Sequence, residues 1–169
     1  MIRFKYIILI LLFNINIAFA NDNVKINIIN GDNIDAQTIY SILDTYSEIN
    51  DDKLNDIIKK LKKNKYISDV NILKQNDTYT INISQYKIIN EVKFKGLKRF
   101  KEDNLNLILP FDEYLKVNDE KQINRFIKDL KELYYSYAFN KINIEYEFLN
   151  IDNTENFIDI QFNINEGKI

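Results

Sequence analysis

The sequence contains neither cysteine nor histidine among its 169 residues. Without cysteine the chain cannot form disulfides, thiolate metal sites or cysteine nucleophiles. Without histidine it lacks the commonest general base and the commonest zinc ligand. The net charge of −2 gives no electrostatic footprint for nucleic acid. We therefore expect a protein that is not an enzyme, needs no cofactor or metal, and does not bind nucleic acid.

Paired acidic residues leave one alternative open, an enzyme that uses carboxylates only. They occur at residues 51–52, 112–113 and 119–120. None has the ligand order or the central glycine of a calcium-binding EF-hand loop. Two of the pairs stand where helices are expected to begin, and helix capping explains carboxylates at such positions.

The first twenty residues have the three-part layout of a secretory signal peptide. Arg3 and Lys5 form the positive end, residues 6–13 form the apolar run, and small residues close the segment at Ala20. A membrane span needs about 20 apolar residues, and two asparagines interrupt this stretch. We expect cleavage after Ala20 and export from the cytoplasm, with an uncleaved membrane anchor as the alternative.

The remaining chain reads as two copies of a strand–helix–helix–strand–strand unit. Apolar residues alternate along the strands predicted at residues 24–30, 69–74 and 78–84, and again at 90–95, 141–149 and 157–165. Helical spacing of apolar residues predicts two helices between the first and second strand of each copy. Glycine and proline are scarce, at 3 and 1 residues, and the single proline, Pro110, should end a helix.

The register between the copies supports a true repeat. A shift of 66 positions matches Ile26 with Val92, Ile28 with Phe94, Asn30 with Gly96, Ile34 with Phe100 and Ile39 with Leu105. Asparagine suits the place of the turn glycine Gly96 because it is the next best residue at positive φ. The fold class is therefore predicted as α+β, with each copy a three-stranded mixed sheet carrying two helices on one face. The domains are predicted at residues 21–87 and 88–166, after a signal peptide at 1–20 and before a linker that starts at 167–169.

This arrangement resembles the tandem POTRA domains of BamA-type outer-membrane assembly factors, over residues 24–169. The segment DVNILKQNDTYTINISQYKIINEVKFKGLKRFKEDNL (69–105) is similar to the passage from one POTRA domain into the strand–glycine turn of the next. LYYSYAFNKINIE (133–145) resembles the turn from the second helix into the second strand. The glycine often found after that helix is Lys65 in one copy and Tyr137 in the other. NEGKI (165–169) resembles a linker to a further domain, so we expect an N-terminal fragment that lacks the barrel.

The resemblance implies that the second strand of each unit lies at an exposed sheet edge. The residues concerned are Val70, Asn71, Ile72 and Leu73 in the first copy, and Ile142, Asn143, Ile144, Glu145 and Tyr146 in the second. Another chain can join the free backbone groups of such an edge. The apolar side chains of these strands are expected to face the core.

The implied function is that of a periplasmic scaffold at the outer membrane that binds unfolded outer-membrane proteins by β-strand addition. Periplasmic chaperones or assembly-complex lipoproteins are further expected partners. If the chain is a fragment, membrane association would come from the missing C-terminal barrel. The alternative is a membrane-anchored POTRA protein of the cell-division (FtsQ-like) or two-partner-secretion type.

Overall fold

The computed structural model describes residues 24–29, 34–46 and 48–167. The expected signal peptide with its cleavage site after Ala20, the turn residue Asn30 and the last two residues lie outside the described residues. Within the described ranges, none of the helices combines the length and apolar character that crossing a membrane requires.

The first module is built from two helices and three strands. Its elements are β1 (Val24–Ile29), α1 (Ala36–Leu43), α2 (Leu54–Leu61), β2 (Ile67–Gln75) and β3 (Thr78–Gln85). The strand order is β1-β3-β2, with β1 parallel and β2 antiparallel to β3. A tight turn with Asn76 at φ 53° joins β2 to β3, whereas the parallel pair needs the longer helical connection.

Local sequence explains where the helices begin. The carboxylate of Asp35 accepts a hydrogen bond of 3.0 Å from the backbone N–H of Gln37, which makes Asp35 the N-cap of α1. A short 3₁₀ turn, Asp51–Lys53, leads into α2. The apolar residues selected by the two periodicities form one core, with Ile39, Ile57, Leu61, Ile81 and Ile83 fully buried.

The second module has the same strand order with one additional helix. It contains β4 (Ile88–Lys95), α3 (Glu102–Ile108), α4 (Phe111–Tyr114), α5 (Glu120–Ser136), β5 (Asn143–Asn150) and β6 (Phe157–Asn165). The order is β4-β6-β5, with β4 parallel and β5 antiparallel to β6. Asp119 caps α5 by accepting a hydrogen bond of 3.0 Å from the backbone N–H of Lys121. A separate core of this module includes Leu105, Ile123, Phe126, Leu130, Tyr134, Ile160 and Phe162.

The short helix α4 is absent from the sequence prediction of two helices per unit. Pro110 ends α3, as predicted, and its φ of −69° also suits the start of the next helix. The helix turns Phe111 into the core, where the centroid of its ring lies 4.9 Å from that of Phe94 in an edge-on contact. The contact between Phe111 and Phe94 therefore positions this four-residue helix against the core.

The residue with left-handed backbone conformation after α5 is Ala138. Tyr137, the expected counterpart of the family glycine, has φ −101°, whereas Ala138 has φ 65°. The backbone N–H of Phe139 donates to the carbonyl of Tyr134 and that of Ala138 to the carbonyl of Tyr135, at 3.1 and 3.0 Å. These are the two hydrogen bonds of a Schellman motif, in which the residue with positive φ is Ala138. Lys65, in the first copy, is not among the residues with positive φ.

Candidate functional site

β2 and β5 each lie at an outer edge of their sheet, with one strand neighbour. Among the described residues, no backbone–backbone hydrogen bond outside the sheet ladders involves residues 68–75 or Asn143–Asn150. The outward N–H and C=O groups of these two strands therefore have no main-chain partner in the part of the chain that the structure describes. Such groups are free to pair with another extended chain.

The opposite edge of the second sheet, β4, is partly covered. The backbone N–H of Ile89 donates to the carbonyl of Lys116 at 3.0 Å, and that of Asn118 donates to the carbonyl of Lys87 at 3.0 Å. The side chain of Asn118 also accepts from the N–H of Lys87 at 2.8 Å. The pairing of β4 with β6 shifts register between Ile89 and Val92. Covering loops and bulges both hinder strand addition, so β5 is the open edge of this sheet.

β5 is also more regular than β2. Its pairing with β6 runs without a register shift from Asn143 opposite Asn165 to Asn150 opposite Ile158. At about 3.4 Å per residue, the eight residues of β5 give an edge about 27 Å long. β2 has an irregularity between Ile67 and Asp69 and pairs regularly only after it.

The predicted edge residues divide between the two faces of the sheets. Val70, Ile142 and Ile144 are buried, and Ile72 and Tyr146 are half-buried against the cores. The exposed members of the set are Asn71, Leu73, Asn143 and Glu145. Ile142 is not part of the strand, because the turn that follows α5 continues through Lys141 and delays the start of β5 to Asn143.

The solvent face of β5 carries two carboxylates held by amide side chains. The amides of Gln161 and Asn163 on β6 donate to one oxygen of Glu147, at 2.8 and 3.0 Å. The amide of Asn143 donates to Glu145 at 2.9 Å. The donors to Glu147 lie on the neighbouring strand β6 and the donor to Glu145 lies on β5 itself, and all three are neutral amides.

The core face of β5 exposes part of its aromatic surface at the same edge. Tyr146 and Phe148 are only partly buried, and their rings form an edge-on contact with centroids 5.5 Å apart. Behind them lies Phe162 of β6, with its centroid 6.2 Å from that of Tyr146. A strand added beside β5 would cover these two rings.

Glu166 is an organising residue of the second module that sequence reasoning missed. One of its carboxylate oxygens accepts from the backbone N–H groups of Lys98 and Arg99 and from the hydroxyl of Tyr134, each at 2.8 Å. Desolvation raises the pKa of Glu166, but the hydrogen bonds from Arg99, Lys98 and Tyr134 outweigh it and leave the pKa below its ordinary value. Burial, and then this carboxylate, raise the pKa of the Tyr134 hydroxyl. A single glutamate carries no sequence motif that could have indicated this role.

Gly96 and Asp51, a member of one acidic pair, make close contacts within their own modules. Gly96 has φ 84°, and a Cβ built on it would overlap the carbonyl oxygen of Ile164. Asp51 accepts from the ammonium of Lys74 and the hydroxyl of Tyr79, both at 2.9 Å in their shortest contacts. Nowhere in the described ranges do three or more potential metal-ligating side chains come together.

Residues 87–167 match the sequence model of the POTRA family, described as a surface antigen variable number repeat. The second module is a POTRA domain. The first module repeats its mixed sheet, with a first strand parallel and a second strand antiparallel to the central third strand. No curated protein matches the chain significantly.

The comparison with solved structures found similarity to POTRA regions of Omp85 and BamA proteins. The N-terminal domain of Omp85 from the thermophilic cyanobacterium Thermosynechococcus elongatus has a TM-score of 0.50 at 12% identity, over 86% of this chain and 62% of that one. POTRA1-2 of the periplasmic domain of Omp85 from Anabaena gives 0.47 at 13% identity, over 87% and 94% of the two chains. POTRA3-5 of BamA from Haemophilus influenzae gives 0.39 at 10% identity, over 86% and 66%.

The first of these similarities covers both modules and shows a shared fold. It confirms the predicted α+β architecture, and the family match confirms the resemblance to POTRA domains for the second module. The chain spans 62% of the length of the Thermosynechococcus domain.

Proposed function

We propose that the chain is the periplasmic POTRA scaffold of a BamA-like outer-membrane protein assembly factor, and that it acts without catalysis. It binds unfolded outer-membrane proteins by β-strand addition. The observation that supports this most strongly is the open β5 edge, eight residues long, in unbroken register, and without a main-chain partner on its outer side among the described residues. Barrel strands of about 9–11 residues have a comparable length. Periplasmic chaperones and assembly-complex lipoproteins are further predicted partners.

The pattern of β5 suits a barrel strand as its neighbour. Ile144, Tyr146 and Phe148 face the core side, while Asn143, Glu145 and Glu147 face solvent. Transmembrane barrel strands likewise alternate apolar and polar residues. A client strand in register with β5 would place its apolar side chains beside Tyr146 and Phe148 and its polar side chains in water.

The energetics favour a weak and tolerant interaction. Each hydrogen bond contributes about 0.5–1.5 kcal/mol net, while ordering the client backbone costs about 1–2 kcal/mol per residue. These terms nearly cancel, so the net affinity comes from apolar contacts such as those with the two partly buried rings. Backbone pairing accepts most side chains, which lets one edge hold many clients briefly and release them.

β2 supplies a second, shorter edge of the same kind. Its regular pairing runs from Asp69 to Gln75. Leu73 is 53% exposed on its solvent face and offers an apolar contact there. We expect β2 to contribute to client binding through the same backbone pairing.

Cysteine cross-linking tests strand addition at both edges. The chain has no cysteine, so one introduced thiol is unique. Asn143→Cys places it on β5 and Asn71→Cys on β2, both at exposed positions. The probe is a synthetic peptide of about nine residues with the alternating pattern of a barrel strand, carrying a single cysteine that is moved along its length. Disulfide yield should peak at every second peptide position, because side chains on one face of a strand recur with period two.

The matched control is Asn104→Cys, an exposed asparagine on α3. This variant should give low yield at all peptide positions. A uniform yield along the peptide at the edge cysteines, or a yield as high at Asn104→Cys, would rule out strand addition at these edges.

A further inference from the structure

The charges on the solvent face of the second sheet are ordered in rows across its three strands. Lys93 lies opposite Gln161, which lies opposite Glu147. The next row is Lys95, Asn163 and Glu145. In both rows a lysine therefore lies on β4, an amide on the central strand β6 and a carboxylate on the open edge strand β5.

On the β4 side, the cation of the first row is already paired. The ammonium of Lys93 lies 2.7 Å from a carboxylate oxygen of Asp159 and 3.1 Å from one of Glu91. Lys93 and then Asn90 hold the pKa of Asp159 below its ordinary value, so this carboxylate is charged at neutral pH.

The carboxylates on the β5 side lack a counter-ion within the described chain. Glu145 and Glu147 are exposed, and neither takes part in an ion pair among the residues that the structure describes. The lysines of their rows are two strand spacings away, about 10 Å, which is too far for direct contact. A strand added beside β5 would be one spacing away and would bring its side chains directly opposite these carboxylates.

The β2 edge lacks this pattern and serves as an internal comparison. Its carboxylate, Asp69, lies 2.8 Å from the ammonium of Lys62. The next solvent-facing residues along β2 are the neutral Asn71 and the apolar Leu73. The β2 and β5 edges therefore differ in charge, although each is an outer strand antiparallel to the central strand of its sheet.

We propose that the β5 edge selects extended client segments that carry lysine or arginine at two alternate positions, opposite Glu145 and Glu147. This inference rests on the proposed function and adds a preference among clients. Opposite charges directly across two strands attract, and like charges repel. The same carboxylates disfavour acidic segments and the pairing of β5 with β5 of a second copy.

Each directly opposite charge pair is worth enough to give a measurable preference. Two such pairs should favour the basic segment by about 2- to 30-fold over the same segment with neutral residues at those positions. Because the pairs are exposed, salt at about 1 M should remove most of the difference.

The test compares two peptides on the full chain by fluorescence anisotropy. Both have about nine residues and identical apolar positions; the polar positions are lysine in one and glutamate in the other. The lysine peptide should bind at least about 2-fold more tightly at low salt, and the preference should shrink as salt rises. Glu145→Gln with Glu147→Gln keeps the shape and the amide contacts of both residues and should remove the preference. The control Glu132→Gln, on the exposed face of α5, should retain it.

The outcomes separate the two proposals. If both peptides bind equally, or if the double variant keeps the full preference, charge selection is overturned while strand addition stands. If neither peptide binds, strand addition fails and the charge preference fails with it.

Discussion

Replacing Gly96 by alanine measures how closely the turn after β4 packs on the central strand β6. The residue has φ 84°, and a Cβ there would overlap the carbonyl oxygen of Ile164. A non-glycine residue in the left-handed region costs about 1–2 kcal/mol. Relieving the overlap requires the turn to move away from the strand, a distortion comparable to overpacking a core at about 1–3 kcal/mol. We expect Gly96→Ala to lower the free energy of unfolding by about 2–5 kcal/mol.

That loss is large for a domain of this size. Native domains are stable by about 0.05–0.15 kcal/mol per residue, or about 4–12 kcal/mol for the second module. With a urea m-value of about 2 kcal/mol/M, unfolding of the full chain followed by far-UV circular dichroism should show a midpoint lowered by about 1–2.5 M for the transition of this module. Hydrogen exchange at β4 and β6 assigns the change to the module concerned.

Gly96→Asn separates the two causes. Asparagine adopts positive φ more readily than alanine, so the backbone cost falls, while its Cβ meets the same carbonyl oxygen. We expect Gly96→Asn to remain clearly destabilised. Asn76→Gly, at a turn with φ 53°, is the control and should not lose stability. A Gly96→Asn variant that unfolds at the midpoint of the unmodified chain would refute the overlap.

Three further predictions follow from the second module. Ala138→Gly should stabilise this module by about 1 kcal/mol and raise its melting temperature by about 4–8 °C, because Ala138 occupies the left-handed position of a Schellman motif. As a control, Ala36→Gly at the first residue of α1 should not raise the melting temperature of the first module. Tyr134→Phe should cost about 1.5–3 kcal/mol by chemical denaturation, since it removes a hydrogen bond to the charged Glu166, and an unchanged midpoint would contradict that role. Because their partners lower the pKa values of Asp159 and Glu166, the stability they contribute is present above the unfolded pKa of about 4 and lost as pH falls through the lower folded values. Thermal melts across this range should show the loss, and a melting temperature independent of pH there would count against it.

Alternation predicted the strands of the second module well because burial on one face imposes period two on the sequence. β6 was predicted at its observed bounds, Phe157–Asn165. β5 was predicted to begin at residue 141 and begins at Asn143, since Ile142 is apolar and buried but precedes the strand. Periodicity indicates which side chains are buried, but it does not indicate where the backbone begins to form hydrogen bonds with the neighbouring strand.

Other features of the structure could not be predicted from the neighbouring sequence. The four residues of α4 are too few to show helical spacing, and a contact with Phe94 places that helix. Glu166 bonds to Lys98, which is 68 positions earlier in the chain, so neither neighbourhood reveals the contact. The left-handed residue after α5 is an alanine, which gives no turn signal. The position of β2 and β5 at sheet edges came from the family resemblance, because hydrophobic pattern alone does not set strand order.

The most direct test of the central claim is an NMR measurement on the labelled chain with a bound barrel-strand peptide. Strand addition predicts cross-strand nuclear Overhauser effects between the peptide backbone and alternate residues of β5, together with slowed exchange of the outward amides of Asn143–Asn150. Peptide contacts confined to the helices, with no change in amide exchange along β5 or β2, would contradict the account.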